Sequence, residues 1–376
     1  MDSKMTKTTT YIVIGVICLL FFSCNKKDNT YQGKVLSVEL KENELDPSHL
    51  FSKVEIIPLE TTDESLITSI HQIIEYNNRF YILDDRISVL FCFDKSGKFL
   101  YKIDKTGDGP EEYNLISETI INQNKIYMLS PMGFIHVYDI EGNFVDKYQL
   151  PSGGGHDMIK LENDIIAYWT LLGNPLEYKV TFYNLINKQV VGGFWKDNDD
   201  TFMSNMCIEV FYNYDNNYYF STQFSNEVYR FNTDTIELEY KWDFGHNNLN
   251  LKPYIKDVKK DLNNFSKLTD TMEIPYYFFR NFQNKNYYYT ILKSWPIDKW
   301  RNIFYRKKDG KSYVFDTLKG GVKVKDVSIL TDTYMISVIS PEEIQSCKEI
   351  ISNEDLKKYN KLKDDSNLCL FKLYFK

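Results

Sequence analysis

The stretch VLFCFDKSGKFLYKI, Val89 to Ile103, sets two alternating apolar runs on either side of a polar turn, Asp94 to Gly97. Alternation with a period of two, broken by turn residues, is the pattern of a β-hairpin. The same grammar returns in GFIHVYDIEGNFVDKY (133–148), YKVTFYNLINKQVVGGF (178–194), NEVYRFNTDTIELEYKW (226–242) and NIFYRKKDGKSYVF (302–315). The anchoring aromatics Phe93, Tyr138, Tyr183, Phe231 and Tyr305 lie 45, 45, 48 and 74 residues apart. Apart from the last interval, that is the period of a propeller blade.

Upstream of the hairpins stand further strand pairs. SIHQIIEYNNRFYILDD turns at Asn77 and Asn78, ETIINQNKIYMLS at Gln123 and Asn124, and EVFYNYDNNYYFSTQ at Asp215 and Asn216. Four antiparallel strands per unit make a blade. The last unit begins at VKVKDVSILTDTYMISVIS, passes two expected helices, PEEIQSCKEI and NEDLKKYNKL, and ends in NLCLFKLYFK, one strand short. SKVEIIPLE (52–60) is a strand without a partner, so pairing it into the last blade closes the ring and removes two exposed edges. The expected fold is all-β: a six-bladed β-propeller of four-stranded antiparallel blades over residues 51–376, with a few inserted helices. One of these is expected in YIKDVKKDLNNFSKL, within the long interval.

Composition agrees. Aromatic residues make up 16% of the chain, with 29 Tyr and 25 Phe, and aromatic side chains suit pleated, half-buried surfaces. The net charge of −7 argues against a nucleic-acid partner, which needs a basic face.

The N-terminus reads as an export signal. Lys4 and Lys7 precede the apolar run Tyr11 to Phe22, and Ser23 and Cys24 follow at once. That run is too short to span a bilayer. A small residue directly before a cysteine resembles a lipobox, with Phe21 and Phe22 in place of the usual Leu and small residue. Residues 1–23 are therefore expected to be a lipoprotein signal peptide, Cys24 the site of lipidation by chains such as palmitate, and 24–50 a polar tether. Lipid would supply membrane affinity that the rest of the sequence lacks. Cys92, Cys207, Cys347 and Cys369 are widely spaced with no CxxC pair; buried free thiols are expected, with one long-range disulfide as the alternative.

VEIIPLETTDESLI (54–67), FDKSGKFLYKI, GDGPEEY (107–113), YRFNTDTIELEYKWDFG (229–245) and DDSNLCLFKLYFK together resemble the six-bladed β-propeller lipoproteins of Gram-negative bacteria, related in fold to NHL-repeat propellers. Two positions depart from that family's pattern: Glu111 where a glycine is usual, and Ser366-Asn367 where Asn-Pro is usual. The resemblance implies a propeller held at the cell envelope, in the outer membrane, with no assigned catalytic residues.

No nucleophile elbow, HExxH, P-loop or EF-hand motif is present, and no cofactor is expected. TGDGPEEY (106–113) carries the residues of a solvated turn. The acidic string at Asp197 to Asp200 lacks the glycine and distal glutamate of a calcium loop. The five histidines show no metal-pair spacing; His156, after SGGG, is expected on a flexible loop within reach of a face pocket. The expected inner strands carry Glu75, Glu118, Asp157, Glu209, Arg280 and Asp326, oxygen ligands and one cation that a central-channel metal site would draw on. The Tyr-rich runs are expected to pack between blades rather than to stack sugars. Three functions follow. The first is a non-enzymatic binding module for glycan or peptide, or for a nutrient-uptake partner such as an outer-membrane transporter. The second is a metal-dependent hydrolase or lactonase, and the third a structural interaction subunit.

Overall fold

The computed structural model describes residues 33–41, 44–151, 154–170, 178–196, 209–251, 267–268, 270–272, 274–294, 299–352, 356–357, 359 and 361–376. The signal peptide and Cys24, the acidic string at 197–200, Cys207 and most of the helix expected within 254–268 lie outside these residues.

Six four-stranded antiparallel blades form the propeller. Blade one is Gln72–Tyr76, Arg79–Asp84, Val89–Asp94 and Phe99–Ile103, numbered from the innermost strand outward. Blade two is Glu118–Asn122, Lys125–Ser130, Phe134–Asp139 and Phe144–Gln149; blade three is Gly155–Lys160, Ile165–Thr170, Tyr178–Asn184 and Gln189–Lys196. Blade four is Phe211–Tyr214, Asn217–Ser221, Glu227–Phe231 and Ile236–Asp243; blade five is Tyr277–Gln283, Tyr287–Ser294, Lys299–Arg306 and Ser312–Phe315. Blade six takes Lys325–Leu330, Tyr334–Ile339 and Cys369–Phe375, with Phe51–Pro58 as its outermost strand. The ring therefore closes by pairing its first blade-forming strand with its last, from Phe51↔Phe375 to Pro58↔Cys369. Asn367 locks this seam, accepting from the Ile67 amide and donating to the carbonyls of Glu60 and Ser65.

The turns explain why the sequence folds in this register. Asn77-Asn78, Gln123-Asn124, Asn163-Asp164 and Asp215-Asn216 all have both residues at φ between 48° and 61°. Consecutive left-handed residues make the tight turn whose twist matches paired strands, and Asn and Asp bear it best among residues with a side chain. These turns join inner to second strands and define one face of the propeller, here the turn face. The opposite face, where the inner strands begin and the blade-to-blade crossovers run, is the crossover face.

Almost every core cluster lies between neighbouring blades. Phe80, Phe91 and Phe93 of blade one meet Ile336, Val338 and Leu370 of blade six, and Tyr81 and Cys92 on the other side of the same sheet meet Ile126 and Tyr138 of blade two. Phe182 of blade three stacks on Phe231 of blade four at 6.2 Å. Most of the Tyr-rich runs is consumed in this way: Tyr212, Tyr219, Tyr287, Tyr288 and Tyr289 are buried. Cys92, Cys347 and Cys369 are free and buried.

Two expectations are corrected. Within the expected tether, residues 33–41 and 44–50 belong to the fold: Lys34–Ser37 adds as a fifth, parallel strand to the outer edge of blade four, where Leu36 and Val38 are buried, and Leu45 bridges to Leu318. Alternation at Leu36, Ser37, Val38 and Glu39 was the signal for it. His156 stands within the inner strand of blade three, not on a flexible loop. The helix expected in PEEIQSCKEI is present, of the 3-10 type, over Pro341–Glu349, closed at its start by a box between Ser340 and Glu343.

Candidate binding site in the central channel

All six inner strands run in the same direction, so residues two apart along each strand line the channel at successive depths. Gln72, Glu118, Asp157, Glu209, Arg280 and Ser328, one from each blade, form a polar ring at the crossover end. Two residues further on, Ile74, Ile120, Ile159, Phe211, Phe282 and Leu330 form an apolar ring. A cavity of about 400 Å³ extends from the polar ring toward the turn face, where Glu75, Asn213, Thr331 and Tyr334 reach its rim.

The polar ring is largely satisfied by its own members. Arg280 pairs with both carboxylate oxygens of Glu209, donates to the carbonyl of Val327 at 2.7 Å and the hydroxyl of Ser328 at 2.9 Å, and reaches the His71 carbonyl at 3.0 Å. It thereby ties blade five to blades four, six and one. Asp157 accepts from the amides of Val210 and Phe211, joining blades three and four. Gln72 donates to Glu118 and accepts from the Thr119 amide, joining blades one and two. The seam between blades two and three instead brings the carboxyls of Glu118 and Asp157 into mutual repulsion.

Burial is the main electrostatic effect in this ring. Glu118, Asp157 and Arg280 are each less than 5% exposed. Burial first, and the Asp157 charge second, raise Glu118 well above the usual carboxyl range. Burial also raises Asp157, opposed by the amides of Phe211 and Val210. Burial lowers the Arg280 guanidinium, opposed most by the charge of Asp326. A protonated Glu118 beside Asp157 removes the repulsion of two buried carboxylates. At the rim, Glu75 accepts from the Tyr334 hydroxyl at 2.6 Å and lies 3.8 Å from the Lys372 ammonium, which sits over the Tyr334 ring.

Five of the six residues singled out from the sequence thus line one cavity. Asp326 does not line it and acts on Arg280 through its charge. The apolar ring and the two neutral members of the polar ring, Gln72 and Ser328, were not singled out. The step of two residues from each charged position marks most of them. Among the described residues, no three His, Cys, Asp or Glu side chains are arranged to hold a metal ion. Glu209 is committed to Arg280, and one oxygen of Asp157 to two amides. His156 is partly buried, which lowers its pKa, and His136 is a neutral core residue held near 4 by burial.

The crossover TGDGPEEY serves as the turn expected of it. Glu112 caps the Gly109 amide at 2.7 Å, and Thr106 bridges to Tyr113, whose buried ring donates its hydroxyl to the Ile103 carbonyl. A Cβ at Gly107 would displace the Glu112 carboxylate from its place beside the Gly109 amide.

Fold and channel together define a six-bladed β-propeller with a closed polar floor and an open apolar throat. The chain belongs to the family described as Domain of unknown function (DUF4934), whose model matches residues 34–374. The crystal structure of a Bacteroides fragilis protein described as exported is similar, at 17% identity over 91% of this chain and 100% of that one, with a TM-score of 0.73. A member of the DUF4221 family from Bacteroides vulgatus is also similar, at 12% identity over 89% of this chain and 99% of that one, with a TM-score of 0.55. No curated protein matches the chain.

Proposed function

We propose that this protein is a lipid-anchored binding module of the cell envelope, held in the outer membrane through Cys24, that takes an apolar group of a peptide or glycan ligand into its central channel. The observation that carries this reading is the apolar ring, one residue per blade, open toward the turn face above a polar floor. An enclosed apolar wall with few convergent polar groups is the usual form of a small-ligand site. Four of the six ring residues are aliphatic, which suits the side chain of a peptide better than the face of a sugar. Envelope location rests on the export pattern before Cys24 and on the fold shared with a protein described as exported.

The test is a screen of peptide and glycan arrays with the purified protein, beside a pull-down from solubilised membranes. A retained ligand class supports the reading. Failure of every ligand, with recovery of one stoichiometric transporter, would replace it with a structural interaction subunit.

A further inference from the structure

On the crossover face, away from the channel mouth, four large apolar side chains stand in the open: Leu66 at 49% exposure, Ile87 at 40%, Leu115 at 50% and Met132 at 63%. They belong to the crossover into blade one, the turn between that blade's second and third strands, the crossover into blade two, and the corresponding turn of blade two. Hydrogen bonds connect these segments in sequence. Asp84, next to the Ile87 turn, accepts from the amides of Thr68 and Ser69 at 2.6 and 3.0 Å, beside Leu66. Ser88 accepts from the Ile116 amide at 3.2 Å, beside Leu115. The Ser117 amide donates to the Leu129 carbonyl at 2.9 Å, and Ser130 accepts from the Met132 amide at 3.2 Å. The four side chains are thus mounted on one cross-braced set of loops. By contrast, exposed Val35, Leu100, Val145 and Val191 are spread over the outermost strands of different blades.

The surroundings of the patch are predominantly acidic, although Lys102 pairs with Asp104 and Lys147 reaches the Glu112 carbonyl from neighbouring outer strands. The segments 61–70, 84–88, 104–117 and 130–133 hold eight carboxylates, among them exposed Glu64, Asp108 and Glu111, against Arg86 and Lys105 alone. Adjacent exposed apolar groups within a charged rim mark a docking surface, and the rim selects a partner of the opposite charge. The bracing lowers the ordering cost of binding. A second copy of this acidic chain would bring like charges together.

We propose that this face docks a partner protein through a segment whose apolar anchors are flanked by Lys and Arg. The site is separate from the channel pocket, and neither depends on the other.

Fluorescence anisotropy of a labelled amphipathic helical peptide of Leu and Lys, titrated with the full chain in detergent, tests this; a Leu and Glu peptide serves as control. The expected result is that the Leu–Lys peptide binds, and that Leu66→Ser/Leu115→Ser/Met132→Ser weakens it by about tenfold or more. Leu100→Ser/Val145→Ser should change nothing, and Glu64→Lys/Glu111→Lys, which replaces exposed side chains and leaves the Glu111 carbonyl in place for the Tyr138 hydroxyl, should flatten the salt dependence. The proposal is overturned if the patch and control variants weaken binding equally, if charge reversal has no effect, or if the Leu–Glu peptide binds as well. It is also overturned if the patch variants abolish self-association or binding to phosphatidylcholine vesicles while leaving the peptide unaffected.

Discussion

Arg280, in the inner strand of blade five, grips Glu209 at the entrance to blade four through both Nε and Nη2. The Arg280 side chain is 4% exposed and that of Glu209 14%, so removing one partner strands the other's charge away from water. Arg280→Met should cost about 3–5 kcal/mol in urea unfolding. Glu209→Gln should cost less, because Arg280 keeps its bonds to Val327, Ser328 and His71. A loss below about 1 kcal/mol for Arg280→Met would show that the ring does not tie the blades together.

The pair Glu118 and Asp157 makes stability depend on pH. The folded pKa of both is raised, so the folded state holds protons that the unfolded state releases. Their contribution to stability is complete below the unfolded carboxyl pKa, about 4, and declines as pH rises toward the raised folded values. Each unit of elevation corresponds to about 1.4 kcal/mol. Glu118→Gln keeps an oxygen to accept from Gln72 and cannot ionise, so it should flatten this decline and be more stable than the native chain at pH 8. Denaturant midpoints from pH 4 to 8 measure it, and parallel profiles for the two proteins would contradict the assignment.

Leu36 makes a different point. Its side chain is fully buried beside Val38 and Trp242, although the sequence around it reads as tether. Leu36→Ala should cost about 2–5 kcal/mol, read as a lowered denaturation midpoint. A tether residue would cost nothing.

Much of the fold was legible because it repeats. Alternation around polar turns gave the strands, the spacing from Phe93 to Tyr138 to Tyr183 gave the period, and the unpaired strand at 52–60 gave the closure. Lys34–Ser37 escaped because four residues beside charged neighbours leave too short an alternation to separate from a linker. The site was half legible. Charged residues on inner strands stand out, whereas Ile74, Ile120 and Leu330 look like any core residue until the ring makes them one layer. Which carboxylates would meet was a matter of blade register, and register is set by pairings distant in sequence.

The proposed anchor at Cys24 has a direct consequence. With the native signal, Cys24→Ser should abolish incorporation of an alkyne palmitate analogue and move the protein from the membrane to the soluble fraction, since the lipid chains provide the membrane affinity. Unchanged labelling or fractionation would refute the anchor.

The central channel is proposed as the binding site. The decisive measurement is the dissociation constant of an array-selected ligand for the native chain and for Ile120→Trp, which fills the throat from a partly exposed position. An affinity loss of about tenfold or more, with an unchanged melting temperature, is the predicted result. Equal affinity would place the ligand elsewhere and contradict the channel as the site.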